Sequence, residues 1–105
     1  MNSWVLESSD ETPFVLRLTP GSVKTVGRTA RADFILDAPL VSRVHCRLTA
    51  DKSDQLIVED LTSTNGTRVN GERVERAVLR PGDTLTVGRV EFAVRHEGAS
   101  PLSPT

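Results

Sequence analysis

Short runs of apolar residues, several of them alternating with polar positions, recur along most of the chain. The clearest runs are residues 14–18, 23–26, 46–49, 56–60, 84–87 and 91–95. Alternation with a period of two, and the frequent β-branched residues within these runs, are typical of β-strands with one buried face. No window of ten or more residues shows a clear helical period of 3.6. The pattern therefore predicts an all-β protein.

Turn-forming residues separate these runs at regular intervals. They are Pro20-Gly21, residues 51–54, Asn65-Gly66, Asn70-Gly71, Pro81-Gly82-Asp83 and Gly88-Arg89. Short strands at this spacing are characteristic of a β-sandwich or a barrel. Asn70-Gly71 lies between two strand-like triplets and predicts a two-residue hairpin, because a type I′ turn needs positive φ at both positions.

Length and composition fit one compact domain with a single core, in a chain of 105 residues with 37% hydrophobic content. We assign the domain to residues 1–95. Residues 96–105 show no strand pattern and are rich in serine and proline, so they are predicted to be a disordered tail or the start of a linker. A linker would favour a domain that belongs to a longer chain.

The cellular setting is predicted from cysteine, hydropathy and charge. Cys46 is the one cysteine and cannot form an internal disulfide, which favours a reducing compartment. No apolar run approaches the roughly 20 residues of a membrane span, and the N-terminus lacks the pattern of a secretory signal. We therefore expect a cytoplasmic protein, or a nuclear one if the source is eukaryotic. A net charge of −1 argues against nucleic acid or a membrane as partner.

The basic residues are mostly arginine, since only Lys24 and Lys52 of the 13 basic residues are lysine. Arginine presents a planar fork of donors that suits phosphate or carboxylate. A GC-rich genome produces the same bias, so composition alone does not decide between these explanations.

Three short polar clusters follow or precede predicted strands. They are Gly27-Arg28, Ser42-Arg43-Val44-His45 and Ser63-Thr64-Asn65-Gly66. Loops at strand ends can gather at one end of a sandwich and form a binding surface. The clusters contain arginines, hydroxyls and an amide but no carboxylate, which is a suitable donor set for a dianionic group. The sequence therefore predicts a phosphate-binding surface.

An enzyme is not predicted. Ser42 and His45 are three residues apart on an extended segment, where side chains at that spacing tend to opposite faces, and no third group orients the histidine. There is no nucleophile elbow, phosphate-binding P-loop or dinucleotide fingerprint. Cys46, His45 and His96 do not have the spacing of metal ligands. We expect no cofactor and no metal.

The order of the polar clusters resembles the forkhead-associated domain family. Gly-Arg is followed by Ser-x-x-His, then by Thr-Asn-Gly, and then by a second Asn-Gly. The spacings also agree, with 14 positions from Arg28 to Ser42, 23 from Ser42 to Asn65 and 5 from Asn65 to Asn70. The resemblance covers about residues 4–95. It implies a β-sandwich of about eleven strands that binds phosphothreonine peptides of a partner in extended form, in Ser/Thr kinase signalling.

The resemblance also implies roles for individual residues. Arg28 and Ser42 would contact the phosphate, joined by Arg43 and Thr64. Asn65 would hydrogen-bond the peptide backbone and set its register. Four residues are implied to support the site. Gly27 and Gly66 would allow backbone turns that a β-carbon would hinder. His45 would support the loops, and Asn70 would form a turn.

The resemblance implies that two further positions bear on specificity, and at the first of them this chain differs from several family members. Leu40 stands two residues before Ser42, where a basic residue in some members reads the third position after the phosphothreonine. Leu40 either favours an aliphatic residue there or makes no contact. Arg89 lies in another loop and favours an acidic residue at the same position. The sequence does not rank these two cues.

Other binding modes stay open from sequence alone. Some members of the family bind partners, or dimerise, through a sheet face without phosphorylation, although we expect this chain to be monomeric in isolation. Binding of its own tail is disfavoured, because Ser100-Pro101 and Ser103-Pro104 offer serine, a poor target in this family. Neither the partner, the kinase nor a bacterial or eukaryotic source follows from the sequence.

Overall fold

The computed structural model describes residues 3–11 and 13–97, which form eleven β-strands. Across these two ranges there is no helix, and hence none long and apolar enough to cross a bilayer. The strands are β1 (Ser3–Ser8), β2 (Val15–Leu18), β3 (Ser22–Gly27), β4 (Phe34–Ile35), β5 (Cys46–Ala50), β6 (Leu56–Asp60), β7 (Thr67–Val69), β8 (Glu72–Val74), β9 (Arg76–Leu79), β10 (Thr84–Val87) and β11 (Val90–Glu97).

The strands form two sheets that pack as a sandwich. One sheet has six strands in the order β2-β1-β11-β10-β7-β8, and the other has five in the order β4-β3-β5-β6-β9. Pairing is antiparallel except between β3 and β4. The all-β class and the β-sandwich of about eleven strands predicted from the sequence are confirmed.

The core lies between the sheets and follows the alternation of the strands. In β5, for example, Cys46, Leu48 and Ala50 are fully buried while the residues between them are partly exposed. Phe92 of β11 is the largest fully buried side chain of the opposite sheet. Because each strand contributes every second residue to the core, both ends of the sandwich are left to loops.

The predicted hairpin at Asn70-Gly71 is confirmed. Both residues have positive φ, 52° and 87°, and Val69 pairs with Glu72 across the turn. The Asn70 side chain accepts a hydrogen bond from the main-chain N–H of Thr84 at 2.9 Å and donates one to Asp83. This turn therefore docks on the β9–β10 connection, at the end of β7 that is farther from Gly66.

The last strand is longer than the sequence pattern predicted. Residues 96 and 97 belong to β11, so the domain extends at least two residues beyond the predicted boundary at residue 95. Pairing explains the difference, because His96 lies opposite Trp4 and Glu97 lies opposite Ser3 of β1. The rest of the predicted tail, residues 98–105, lies outside the described residues.

Candidate functional site

Three loops meet at one end of the sandwich, and hydrogen bonds to Ser42 join them. The loop after β3 bonds to the β4–β5 loop through the N–H of Arg28 and the carbonyl of Ser42, at 2.9 Å. The β6–β7 loop bonds to the same residue through the N–H of Thr64, which donates to Oγ of Ser42 at 3.0 Å. Ser42 is thus the point that the three loops share.

The Ser42 hydroxyl accepts one hydrogen bond and remains able to donate another. Its oxygen accepts the hydrogen bond from Thr64, and no acceptor for its hydrogen lies within the described residues. The side chain is half-buried at the surface of the loop cluster. A hydroxyl fixed in this way can donate its hydrogen to a ligand.

Arg28 is anchored at one nitrogen and open at the other two. Its Nε donates to the carbonyl of Val41 at 2.9 Å, while Nη1 and Nη2 have no partner in the part of the chain that the structure describes. The Arg43 side chain nearby is exposed and also lacks an ion pair there. Arg28 and Arg43 therefore lie in loops that meet at Ser42, and neither guanidinium forms an ion pair with a described carboxylate, an arrangement that attracts an anion.

Asn65 connects the β6–β7 loop to the β4–β5 loop. Its Nδ2 donates to the carbonyl of Leu40 at 3.1 Å, and its Oδ1 has no donor among the described residues. Leu40 has a φ of 70°, in the left-handed region that a leucine rarely occupies. The bond from Asn65 helps to hold this conformation, and it leaves an amide oxygen that can accept a bond from a peptide N–H.

His45 is fully buried beneath the loops and bonds at both ring nitrogens. The N–H of Ser42 donates to Nδ1 at 3.0 Å, and Nε2 lies 2.8 Å from the carbonyl of Gly66. Since Nδ1 accepts, Nε2 must carry the hydrogen and donate to Gly66, so the ring is neutral. One side chain thereby sets the positions of two of the three loops.

The two glycines of the polar clusters serve different purposes. Gly66 has a φ of 88°, which a residue with a β-carbon rarely adopts. Gly27 is the last residue of β3 and lies so close to the Arg43 carbonyl that a β-carbon would collide with it. Close packing of two loops, rather than a turn, requires a glycine at this position.

Asp60 is a site residue that the sequence analysis missed. Its carboxylate accepts bonds from the N–H and hydroxyl of Ser63 and from the hydroxyl of Thr67 at 2.7 Å. The Ser63 hydroxyl accepts in turn from the N–H of Gly66 at 3.0 Å. An aspartate at a strand end, three residues before a serine, is a local capping signal that could have revealed this contact.

The hydrogen bonds to Asp60 also change its acidity. Burial opposes its negative charge, but the bonds from Ser63 and Thr67 outweigh this effect and hold the pKa of the carboxyl below its ordinary value. The β6–β7 loop is therefore supported by an ionised carboxylate throughout the neutral range.

Cys46 has the environment of a core residue. Burial, with a smaller contribution from the charge of Asp60, raises the pKa of its thiol to about 12. The thiol therefore stays protonated at neutral pH, and a protonated, buried thiol is a poor nucleophile and a poor metal ligand.

The two positions predicted to bear on specificity, Leu40 and Arg89, lie in segments that pack against each other. A β-carbon at Gly88 would be 2.8 Å from the carbonyl oxygen of Leu40, so the Gly88-Arg89 turn packs directly on the Leu40 segment. Leu40 is 46% exposed and Arg89 is also exposed. The fold thus presents an apolar side chain and a cation at one surface.

Of the residues that the sequence singled out, most converge at this end. The five expected to bind the phosphopeptide are joined through the loops described above: Arg28, Ser42, Arg43, Thr64 and Asn65. His45, Gly27 and Gly66 lie beneath or between these loops. Asn70 does not, since its turn docks on the β9–β10 connection.

A β-sandwich whose loops present open hydrogen-bond donors and cations at one end is a protein of the interaction-module class. The chain belongs to the FHA domain family, whose model matches residues 24–88. This family is one of binding modules.

Relatives of known name support the assignment. The chain is 39% identical over 75 residues to an ABC transporter ATP-binding/permease protein of Mycobacterium tuberculosis, covering 71% of this chain and 8% of that protein. It is 37% identical to the glycogen accumulation regulator GarA of Mycobacterium tuberculosis, covering 65% of this chain and 41% of GarA. The chain thus corresponds to less than half of either relative.

Similar structures have also been solved. One, from a structural and functional study of phosphothreonine-dependent FHA domain interactions, has a TM-score of 0.81 and is 34% identical. The alignment covers 95% of this chain and 99% of that domain. The likeness therefore extends over nearly the entire sandwich.

Proposed function

We propose that this chain is a phosphothreonine-dependent protein–protein interaction module that acts in Ser/Thr kinase signalling. The observation that carries the proposal is a set of open donors at one surface. The terminal nitrogens of Arg28 and the hydroxyl hydrogen of Ser42 have no partners in the described ranges, yet both side chains are held in place by other bonds. Donors that are already fixed lose little entropy when a ligand binds.

The proposed ligand matches these donors in charge and number. A phosphorylated side chain carries about −1.5 to −2 charges at pH 7 and three acceptor oxygens. Arg28 supplies two N–H groups to it and Ser42 supplies one hydroxyl, with Arg43 and Thr64 adding charge and a further donor at the rim. Asn65 accepts a main-chain N–H of the peptide through Oδ1 and so fixes its register.

The same geometry disfavours catalysis by Ser42 and His45. The ring nitrogen nearest Ser42 accepts a bond from the serine main-chain N–H. Its other nitrogen is engaged with the Gly66 carbonyl. A histidine occupied at both nitrogens cannot take a proton from the serine hydroxyl, which general-base catalysis would require. This supports a binding role rather than an enzymatic one.

Leu40 and Arg89 are proposed to select the third residue after the phosphothreonine. Their adjacency supports a single composite subsite with an apolar half and a cationic half. We expect it to favour a side chain with an aliphatic stem and a terminal carboxylate over a purely apolar or basic one.

The test is binding to one degenerate peptide library in three forms: phosphothreonine, phosphoserine and unphosphorylated. We expect selective capture of the phosphothreonine form. Arg28→Ala should lower the affinity at least about 30-fold, because it removes the main cation that faces the phosphate. Arg80→Ala is the matched control, since Arg80 is exposed, makes no described ion pair and lies at the opposite end of the sandwich. Circular dichroism should show that both variants are folded.

A phosphorylation-independent partner on a sheet face is the second candidate. The outer face of the five-stranded sheet carries a row of β-branched residues across four strands, in which Val23 and Val78 are 54% and 39% exposed. Equal binding to all three peptide forms, unaffected by Arg28→Ala, would contradict the phosphothreonine proposal and favour this face.

A further inference from the structure

The arginines of this chain fall into two groups. Four form ion pairs with glutamates on the outer faces of the sheets: Arg17, Arg47, Arg76 and Arg95. The other seven make no ion pair with any carboxylate of the described residues: Arg28, Arg31, Arg43, Arg68, Arg73, Arg80 and Arg89. All but Arg80 lie in or beside the loop end. More unpaired arginines lie at this end than the proposed phosphate contact needs.

Arg68 and Arg73 lie on β7 and β8, outside the loops that carry the proposed phosphate contact. They lie directly opposite each other on β7 and β8, on the outer face of the six-stranded sheet. Side chains at such positions are about 5 Å apart at Cβ, and like charges there destabilise a hairpin.

Among residues 3–11 and 13–97, no carboxylate forms an ion pair with either arginine. Thr86 is the next residue across the sheet from Arg68, and Glu91 follows it at two strand spacings, about 9 to 10 Å away. Glu72 is adjacent to Arg73 in sequence but points to the other face. Asp60 and Glu75 line the same surface recess as Arg73, but neither forms an ion pair with it, and the Asp60 carboxylate already accepts bonds from Ser63 and Thr67. Two arginines without an ion-pair partner at this place are available to an external anion.

Arg73 reaches toward the phosphopeptide loops. A β-carbon at Gly66 would lie 2.7 Å from Nε of Arg73, so the guanidinium rests against the backbone of Gly66. Gly66 directly follows Asn65, the residue expected to bind the peptide backbone. A ligand that passes Asn65 therefore comes within reach of Arg73.

We propose that Arg73, supported by the charge of Arg68, binds an aspartate or glutamate side chain of the partner in the segment that flanks the phosphothreonine. This inference rests on the proposed function of the loop site. It adds a specificity-determining residue on β8, outside the polar clusters found in the sequence. A carboxylate placed between the two guanidiniums would offset the repulsion that the free protein carries.

The experiment is a double-mutant cycle on phosphothreonine peptides. Glutamate or glutamine is placed at each flanking position in turn, and affinities are measured by fluorescence polarisation for the wild-type protein, Arg73→Gln and Arg80→Gln. At one or more positions we expect glutamate to improve wild-type binding about 2- to 5-fold over glutamine. Arg73→Gln should abolish this difference, and Arg80→Gln should leave it unchanged.

A second measurement separates binding from a purely structural role. Arg73→Glu replaces a like-charge pair with an opposite-charge pair, so we expect the midpoint of thermal unfolding to rise by about 2 to 4 °C while affinity for the acidic peptide falls. If Arg73 had only a structural role, its replacement would not raise the unfolding midpoint while lowering the affinity for the acidic peptide. An unchanged or lower midpoint would overturn the claim that the pair is uncompensated.

The outcomes keep the two proposals apart. If the wild type binds the phosphothreonine peptide but shows the same glutamate preference as Arg73→Gln, the Arg73 subsite is wrong and the loop site stands. If no form of the protein distinguishes phosphorylated from unphosphorylated peptide, the proposed function itself fails.

Discussion

At the scale of single residues, a buried histidine holds the surface of the binding loops in place. His45 bonds to the main chain of Ser42 on one side and of Gly66 on the other. Neither bond is made to a ligand, yet both determine where the donors lie. In catalytic and binding sites generally, such supporting contacts decide whether donors are preorganised or must be ordered on binding.

Replacing His45 with alanine should lower both stability and affinity. The change leaves the Ser42 N–H and the Gly66 carbonyl without partners in a buried region, at a cost of about 2 to 4 kcal/mol in the free energy of unfolding. We expect the affinity for a phosphothreonine peptide to fall about 10-fold as the loops separate. Urea unfolding and peptide titration would measure the two effects.

Leu48→Ala is the control for that experiment. Leu48 is fully buried on β5, and its truncation should cost a similar 2 to 5 kcal/mol through a core cavity. Its binding, measured at a temperature at which both variants are folded, should stay near the wild-type value. Equal affinity losses in the two variants would show that His45 acts through global stability alone.

At the scale of elements, the β6–β7 connection is stabilised by a charge. The Asp60 carboxylate, at the end of β6, bonds to Ser63 in the loop and to Thr67 at the start of β7. Burial opposes the ionised form, but these hydrogen bonds outweigh it and keep the pKa of Asp60 lowered. The connection therefore depends on the ionisation of Asp60, whose carboxylate bonds to Ser63 and Thr67.

This lowered pKa gives a stability effect with a defined sign. A carboxyl whose pKa is lower in the folded than in the unfolded protein stabilises the fold above its unfolded value, near 4, and loses this contribution as pH falls through the folded pKa. Asp60→Asn should therefore lower the free energy of unfolding by about 1 to 2 kcal/mol at pH 7. Below about pH 4 the difference from wild type should narrow.

Thermal unfolding of both proteins at a series of pH values would check this effect. Asp33→Asn is a suitable comparison, because the hydrogen bonds from the main chain and side chain of Thr25 also lower the pKa of Asp33, but its carboxylate is exposed. We expect Asp33→Asn to destabilise the protein less at neutral pH than Asp60→Asn does. A wild-type advantage over Asp60→Asn that persists undiminished at low pH would contradict the role of the charge.

At the scale of the whole molecule, charge is segregated although the net charge is only −1. The sheet faces hold arginines paired with glutamates, such as Arg95 with Glu7 at 2.7 Å. The loop end holds arginines without such partners. Attraction for an anionic ligand is therefore local, and the overall charge does not reveal it.

Binding should weaken as salt rises and as pH falls below about 6. Salt screens the attraction between the loop arginines and the ligand, and protonation removes the second charge of the phosphate near pH 6. Affinities at about 50 and 500 mM salt, and at pH 7.5 and 5.5, would measure both effects. The acid loss should occur well above the range in which Asp60 titrates, so the protein should remain folded at pH 5.5. Affinity that is indifferent to both variables would contradict a phosphate site.

Much of the fold could be predicted from local sequence because its signals are local. Alternation in runs such as residues 46–50 predicts strands directly, and Asn70-Gly71 predicts a two-residue hairpin. The end of β11 could not be predicted, because His96 and Glu97 become strand residues only by pairing with β1, more than ninety positions away in sequence.

Some residues of the candidate site could likewise be predicted from local sequence, and others could not. The polar clusters at Arg28, Ser42 and Asn65 stood out because glycine, hydroxyl and arginine residues were concentrated at predicted strand ends. Asp60 and Arg73 gave weaker signals, since an aspartate at a strand end and an arginine in a hairpin are common surface residues. Their importance depends on what lies opposite them.

The sequence by itself determined the strand pattern, the hairpin and the chemical character of the loops, because each depends on residues within a few positions of one another. Only the tertiary structure decided which loops meet at Ser42 and that His45 is neutral and bonded at both nitrogens. It also decided that Arg68 lies opposite Arg73, with no ion pair to a carboxylate of the described residues. These features depend on strand order and register. Register follows from packing of the core, so no short segment of the chain determines it.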